Sequence, residues 1–155
     1  MSYTISGLPL ELFTPLFRLR DEELARRGIS RVVVDAKPGF PCRITLRFAE
    51  IGERVFLLNF EHQPANTPYR STHAIFVRET ATETARFVDC IPEALCVRPL
   101  SVRAFDADGM MIDADVVDGA QLQPLIERFF ADPGAAYLHV HYAKRGCYAA
   151  RVDRA

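Results

Sequence analysis

The sequence predicts a single α+β domain over residues 1–155, a mostly antiparallel β-sheet with N-terminal and late helices packed against it. Three observations carry this. Short β-branched and aromatic runs follow one another with connections too brief for a crossover helix, which favours antiparallel pairing. Stretches with helical apolar spacing stand at the start of the chain and again at 119–130. No repeat, low-complexity tract or linker divides the 155 residues, a length usual for one domain with a proper core.

The first 28 residues read as helical, with Pro9 in a first turn, Pro15 as a break, and a second short helix, DEELARR, capped by Asp21 and closed by Gly28. RVVVDA (31–36) reads as a strand bounded by the Lys37-Pro38-Gly39 turn. CRITLRF (42–48), RVFLLNF (54–60) and HAIFVRE (73–79) follow as strands. The second of these is apolar on both faces, with Val55 and Leu57 on one and Phe56, Leu58 and Phe60 on the other, so it belongs in the middle of a sheet. A short helix is expected near Pro92 to Leu95. LSVRAFD and MMIDADVV flank Ala107-Asp108-Gly109 as a hairpin. A three-residue loop there sets Ala104 against Ile112, Val102 against Ala114 and Leu100 against Val116, and pairs Arg103 with Asp113. Residues 119–130 form a helix with Leu122, Leu125, Ile126 and Phe129 on one side, Asp118 as its cap and Pro124 as an awkward interior residue. YLHVHY (137–142) and CYAARV (147–152) close the chain as a second hairpin. A four-residue turn sets Ala150 across from His139 and Tyr148 across from His141.

Composition excludes several classes. Hydrophobic residues are 49% and charged residues 25%, ordinary for a globular protein, and the formal charge is −1. No global basic field exists to attract nucleic acid or an anionic membrane. No apolar run reaches the ~20 residues that cross a bilayer, and the start lacks the pattern of a secretory signal. The expected location is the cytoplasm, where Cys42, Cys90, Cys96 and Cys147 stay reduced; none forms a CxxC pair.

The residues able to do chemistry fall in three segments. His139-Val140-His141 lies on a strand, where residues two apart point the same way, so both imidazoles leave one face ~7 Å apart at their bases. They are candidate metal ligands, with Glu61, His62, His73, Asp113 and Asp115 as available further donors. The connection from Asn59 to His73 carries Glu61, His62, Arg70 and His73. Arg70 suits a carboxylate or phosphate through its planar fork, and His62 or His73 suits proton transfer near neutral pH. In KPGFPCR (37–43), Cys42 precedes Arg43 and is a candidate nucleophile if a histidine reaches it. Lys144 and His141 complete the candidate ligand-binding set with Arg43, Glu61 and Arg70. Each feature also has a plain structural reading: hydrogen-bonded histidines, a surface loop with Arg70 paired to an acid, and a packed thiol.

Taken together, the strings KPGFPCRITL, LLNFEHQPANTPYR, IFVRE, LSVRAFDADGMMIDADVV and YLHVHYAKRGCYAARVDR resemble a bacterial family catalogued as domain of unknown function 1203, over almost the full length. The resemblance implies a stand-alone small bacterial domain and brings no catalytic residue or cofactor with it. Three functions follow from the residues. The first is a small-molecule pocket for an anionic ligand, with acid–base catalysis by His62, His73, His139 or Cys42. The second is a non-enzymatic module that forms a homodimer through a sheet edge. The third is a metal-dependent enzyme built on His139 and His141. Apart from that metal, no cofactor is expected.

Overall fold

Strand β3 (Arg54–Gln63) lies in the middle of its sheet, as its two apolar faces predict. In the computed structural model, which describes residues 1–155, it pairs antiparallel with β2 (Ser30–Val33) on one side and β4 (Ser71–Arg78) on the other. Phe56 and Leu58 pack with Phe13, Leu16, Leu24, Ile75 and Val77 on one face. Val55 packs with Val34 and Ala49 on the other. Helix α1 (Asp21–Arg26) contributes Leu24 to the first of these cores, after two short 3-10 turns at Leu10–Leu12 and Thr14–Arg18.

The remaining strands form a six-stranded antiparallel sheet. Its order is β5 (Arg86–Val88), β1 (Tyr3–Ser6), β9 (Tyr148–Arg154), β8 (Tyr137–Tyr142), β6 (Pro99–Phe105) and β7 (Met111–Asp118). Helix α3 (Leu122–Phe130) lays Leu122, Leu125, Ile126 and Phe129 on one face of this sheet, against Leu100, Val102, Leu138, Val140 and Val152. Pro124 is compatible with α3 because it falls in the first turn, where backbone N–H groups have no intrahelical acceptor. Asp118 does not cap α3: a 3-10 turn at Gly119–Gln121 intervenes and no side-chain cap forms. The short helix expected near Pro92 is α2 (Glu93–Cys96). No helix is long and apolar enough to cross a membrane.

Asp21 is the first residue of α1 rather than its cap, and no side-chain cap forms there either. Four further expectations are corrected. The first residues are not helical: Tyr3, Thr4 and Ile5 are buried in β1, paired with both β5 and β9. Segment 42–48 is not a strand. It turns back on itself through a Leu46 N–H to Cys42 carbonyl bond of 3.0 Å, with Leu46 at φ 54°, and its one bridge to a strand joins Cys42 to Phe76 of β4. Its Ile44 carbonyl comes so near Gly7 that a Cβ there would sit 2.0 Å from the oxygen, so glycine is required.

The third correction is one of register. Asp106 accepts hydrogen bonds from the Asp108 and Met110 N–H groups at 2.9 Å each, and a bulge follows between Ala104 and Phe105. The hairpin therefore pairs Leu100 with Val117, Val102 with Asp115, and Arg103 with Ala114. One residue of slip moves side chains across the sheet. Ile112 and Val116 face solvent, Asp115 meets Arg128 of α3 at 2.5 Å, and Arg103 loses the aspartate expected opposite it. The fourth is similar. A bulge in β9 puts Arg151, not Ala150, across from His139, while Tyr148 stands across from His141 as predicted.

Candidate metal centre

The strand period places Tyr137, His139 and His141 on one face of β8 and Leu138 and Val140 on the other. Hydrogen-bonded partners extend that face: Ser101, Arg103 and Phe105 from β6, and Tyr148 and Arg151 from β9. The far end of the β3–β4 hairpin folds over it. There the ladder shifts between Glu61 and Gln63, and His62 turns inward with its ring stacked on Tyr148, 4.9 Å between centroids. His73 leaves β4 on the same side, stacked on His62 at 4.8 Å.

All four histidines of the chain therefore meet. His62 lies 5.1 Å from His141 and 5.8 Å from His139 between ring centroids, and His73 lies 5.3 Å from His141. Relative exposure is 8% for His62, 3% for His139 and 0% for His141. One ring nitrogen from each of these three lies within 4.8 Å of those of the other two. A tetrahedral ion with bonds of about 2.1 Å places its nitrogens ~3.4 Å apart, so the cluster would contract around it.

A hydrogen bond decides the tautomer of His141. A carbonyl only accepts, so at the 2.9 Å contact with Gly146 the proton is on His141 Nδ1, and Nε2 keeps its lone pair. That Nε2 has no partner. His62 Nε2 is 2.6 Å from His73 Nδ1 and donates to it when His62 Nδ1 keeps its lone pair; that Nδ1, too, is buried without a partner. His139 Nδ1 is the third such orphan. Ligating imidazoles are commonly held as His141 and His62 are, with the second nitrogen fixed by an outer hydrogen bond; His139 is held by packing against Phe105 and Tyr148 instead.

Electrostatics keeps the rings neutral, the form that ligates metal. Burial, then the charges of His73 and Arg103, lowers the His62 pKa to about 4. Burial, then His62 and His141, lowers His139 to about 2. Burial lowers His141 to about 3, partly opposed by its bond to Gly146. His73, less buried, shifts in the same direction through burial, Arg103 and Arg43.

The other sequence candidates lie elsewhere. Arg70 pairs with Glu61 at 3.0 Å and both are exposed, on the side of β3 away from Phe60 and His62. Cys42 is 1% exposed, its sulfur accepting from the Thr45 and Arg78 N–H groups, with no histidine contact. Arg43 is buried and Lys144 is exposed at the β8–β9 turn. Sequence reasoning placed Tyr148 beside His141 but missed Arg103 and Arg151 as neighbours of the cluster. Arg103 enters none of the ion pairs of the molecule and stands across the ladder from His139. Its position follows from the period of β6, once the register is known.

The sequence pattern of one family matches residues 39–154, a span that includes every histidine and strands β3 to β9. The chain belongs to that family. Its description is "Protein of unknown function (DUF1203)". No curated protein and no solved structure matches the chain. Membership in DUF1203 therefore brings no ligand set, and the site stands on its own geometry.

Proposed function

We propose that this DUF1203 protein binds a divalent transition-metal ion of the zinc class through His62, His139 and His141. One cluster carries the reading: His62, His139 and His141 each bring a ring nitrogen within 4.8 Å of those of the other two, and each of the three rings has a buried nitrogen without a partner. An unsatisfied buried polar atom costs about 1–3 kcal/mol, and three in one cluster of rings are costly unless a partner satisfies them. Imidazole sets of this kind suit zinc and its neighbours better than magnesium or calcium.

Three protein ligands leave a fourth position free for water or for an oxygen of a substrate, the arrangement of catalytic rather than closed structural sites. Arg103, without a carboxylate partner on the same sheet face, favours an anionic group there. The ion would supply Lewis acidity. His73 would hold the His62 proton, Gly146 would hold that of His141, and Tyr148 and Phe105 would pack the rings in place.

Titration of chelator-treated protein with Zn2+ or Co2+ tests this. We expect a single tight ion per chain, a cobalt spectrum of tetrahedral type, and loss of both in His141→Ala and His139→Ala. Folded protein that takes up no ion, or variants that bind as tightly as the parent, would overturn it.

A further inference from the structure

The β8–β9 turn serves a second region. On its other side, residues 39–43 and the turn enclose a cleft of about 550 Å3. Phe40, Phe76 and Pro99 give it apolar walls, and its charged lining is Arg43, Arg98, Lys144 and Arg145, with no acidic residue. None of these four cations takes part in an ion pair.

Arg43 is the unusual member. Only 2% of it is exposed, and its guanidinium donates to the Tyr148 carbonyl at 2.8 Å, the Pro41 carbonyl at 2.7 Å and Cys147 Sγ at 3.1 Å. Its hydrogen bonds are made, yet no carboxylate neutralises its charge. A buried charge is tolerated when a counter-charge accompanies it. Arg98 brings a second guanidinium to the same place: both lie over the Tyr142 ring, at 5.2 Å for Arg43 and 5.0 Å for Arg98. Two like charges pack against one aromatic ring, and Lys144 and Arg145 line the same cleft.

We infer that this cleft binds a small organic anion, a carboxylate or phosphate group carried on a flat apolar body. The anion would lie against Arg98 and the turn cations, with Arg43 behind them, and the body between Phe40 and Phe76. The volume suits such a ligand, since small-molecule sites run to roughly 300–1,000 Å3. The site is separate from the histidine cluster and does not depend on it.

Calorimetric titration of the full chain with phenyl phosphate, benzoate, inorganic phosphate and phenol decides the matter. We expect phenyl phosphate or benzoate to bind with a Kd of about 1 mM or below, inorganic phosphate more weakly, and phenol not measurably. Arg98→Ala and the exposed double variant Lys144→Ala/Arg145→Ala should each weaken binding at least tenfold. Both should keep the parent's circular dichroism and metal uptake, since neither alters a histidine. If neither aromatic anion binds, or if folded variants bind like the parent, the inference is overturned. If inorganic phosphate binds as tightly as phenyl phosphate, the apolar walls are not part of the site and the ligand class is wrong. Metal titration is read independently, so failure here leaves the histidine site standing, and the reverse holds too.

Discussion

The two faces of β8 are buried equally and do different work. Leu138 and Val140, both 0% exposed, meet α3 in an apolar core where every contact is satisfied by shape alone. His139 and His141, at 3% and 0%, are buried as deeply but leave ring nitrogens without partners. Burial therefore does not separate structure from function here. What separates the faces is whether the buried atoms are satisfied. The helix-covered face lowers the free energy of the fold. The histidine face, with its unpartnered nitrogens, raises it, and on the proposed function a bound ion offsets that cost.

The largest effect should come from cutting the helix-covered face. Leu138→Ala removes side-chain volume from the main core, and we expect a loss of about 2–5 kcal/mol in denaturant unfolding of the metal-free protein. On the other face, His139→Leu replaces an unsatisfied polar ring with an apolar side chain. Metal-free stability should hold or rise, while zinc binding disappears. If His139→Leu destabilises the metal-free protein as much as Leu138→Ala, the histidines are ordinary core residues and the contrast fails.

Acid sharpens the same contrast. The folded-state pKa values of His62, His139 and His141 lie below the ordinary 6.5, at about 4, 2 and 3. Below pH 6.5 the unfolded chain therefore takes up protons that the folded chain refuses. Stability contributed by keeping these rings neutral is fully present above 6.5 and is lost as pH falls from there towards 4 and lower. Each such histidine contributes a slope of on the order of 1.4 kcal/mol per pH unit in that window. Urea midpoints of metal-free protein should fall between about pH 7 and pH 5, and the fall should shrink in His139→Leu. An identical pH slope in the variant would remove His139 from the account.

A smaller effect belongs to the outer shell. His73 holds His62 through the 2.6 Å contact and is not among the three converging residues. We expect His73→Ala to weaken zinc about 10–100-fold, as loss of an outer partner does, with one ion per chain retained. Complete loss of the ion would make His73 a ligand and redraw the site.

What the sequence revealed follows the range of each signal. Alternation in YLHVHY put His139 and His141 on one face, and the doubly apolar β3 was central, because both follow from local period. Strand β1 has only a short local signal, Tyr3, Thr4 and Ile5, against the leucines that follow it, and its pairing with β5 and β9 is non-local. The register of β6 and β7 was not legible. Burial alone favours Ile112 and Val116 inside, yet the Asp106 turn and the bulge at Phe105 place them outside. That slip decides whether Arg103 faces a carboxylate or the histidines. The meeting of His62 and His73 with β8 is a contact between two sheets, and no spacing along the chain encodes it.

The smallest effect tests the seam where those sheets meet. Gln63, buried beside His62, donates through Nε2 to the Tyr137 hydroxyl at 2.9 Å, at the edge of the histidine face. Tyr137→Phe keeps the ring that stacks on Phe105 and removes only the acceptor. The amide nitrogen then loses this partner, at about 1 kcal/mol. Because the bond positions the β3–β4 hairpin rather than a ligand, unfolding should shift by that amount while zinc affinity falls less than tenfold. A larger loss of affinity than of stability would mean that the seam sets the geometry of the site. His62 would then depend on Gln63 for its place, and the histidine face would be held by the hairpin contact as much as by β8.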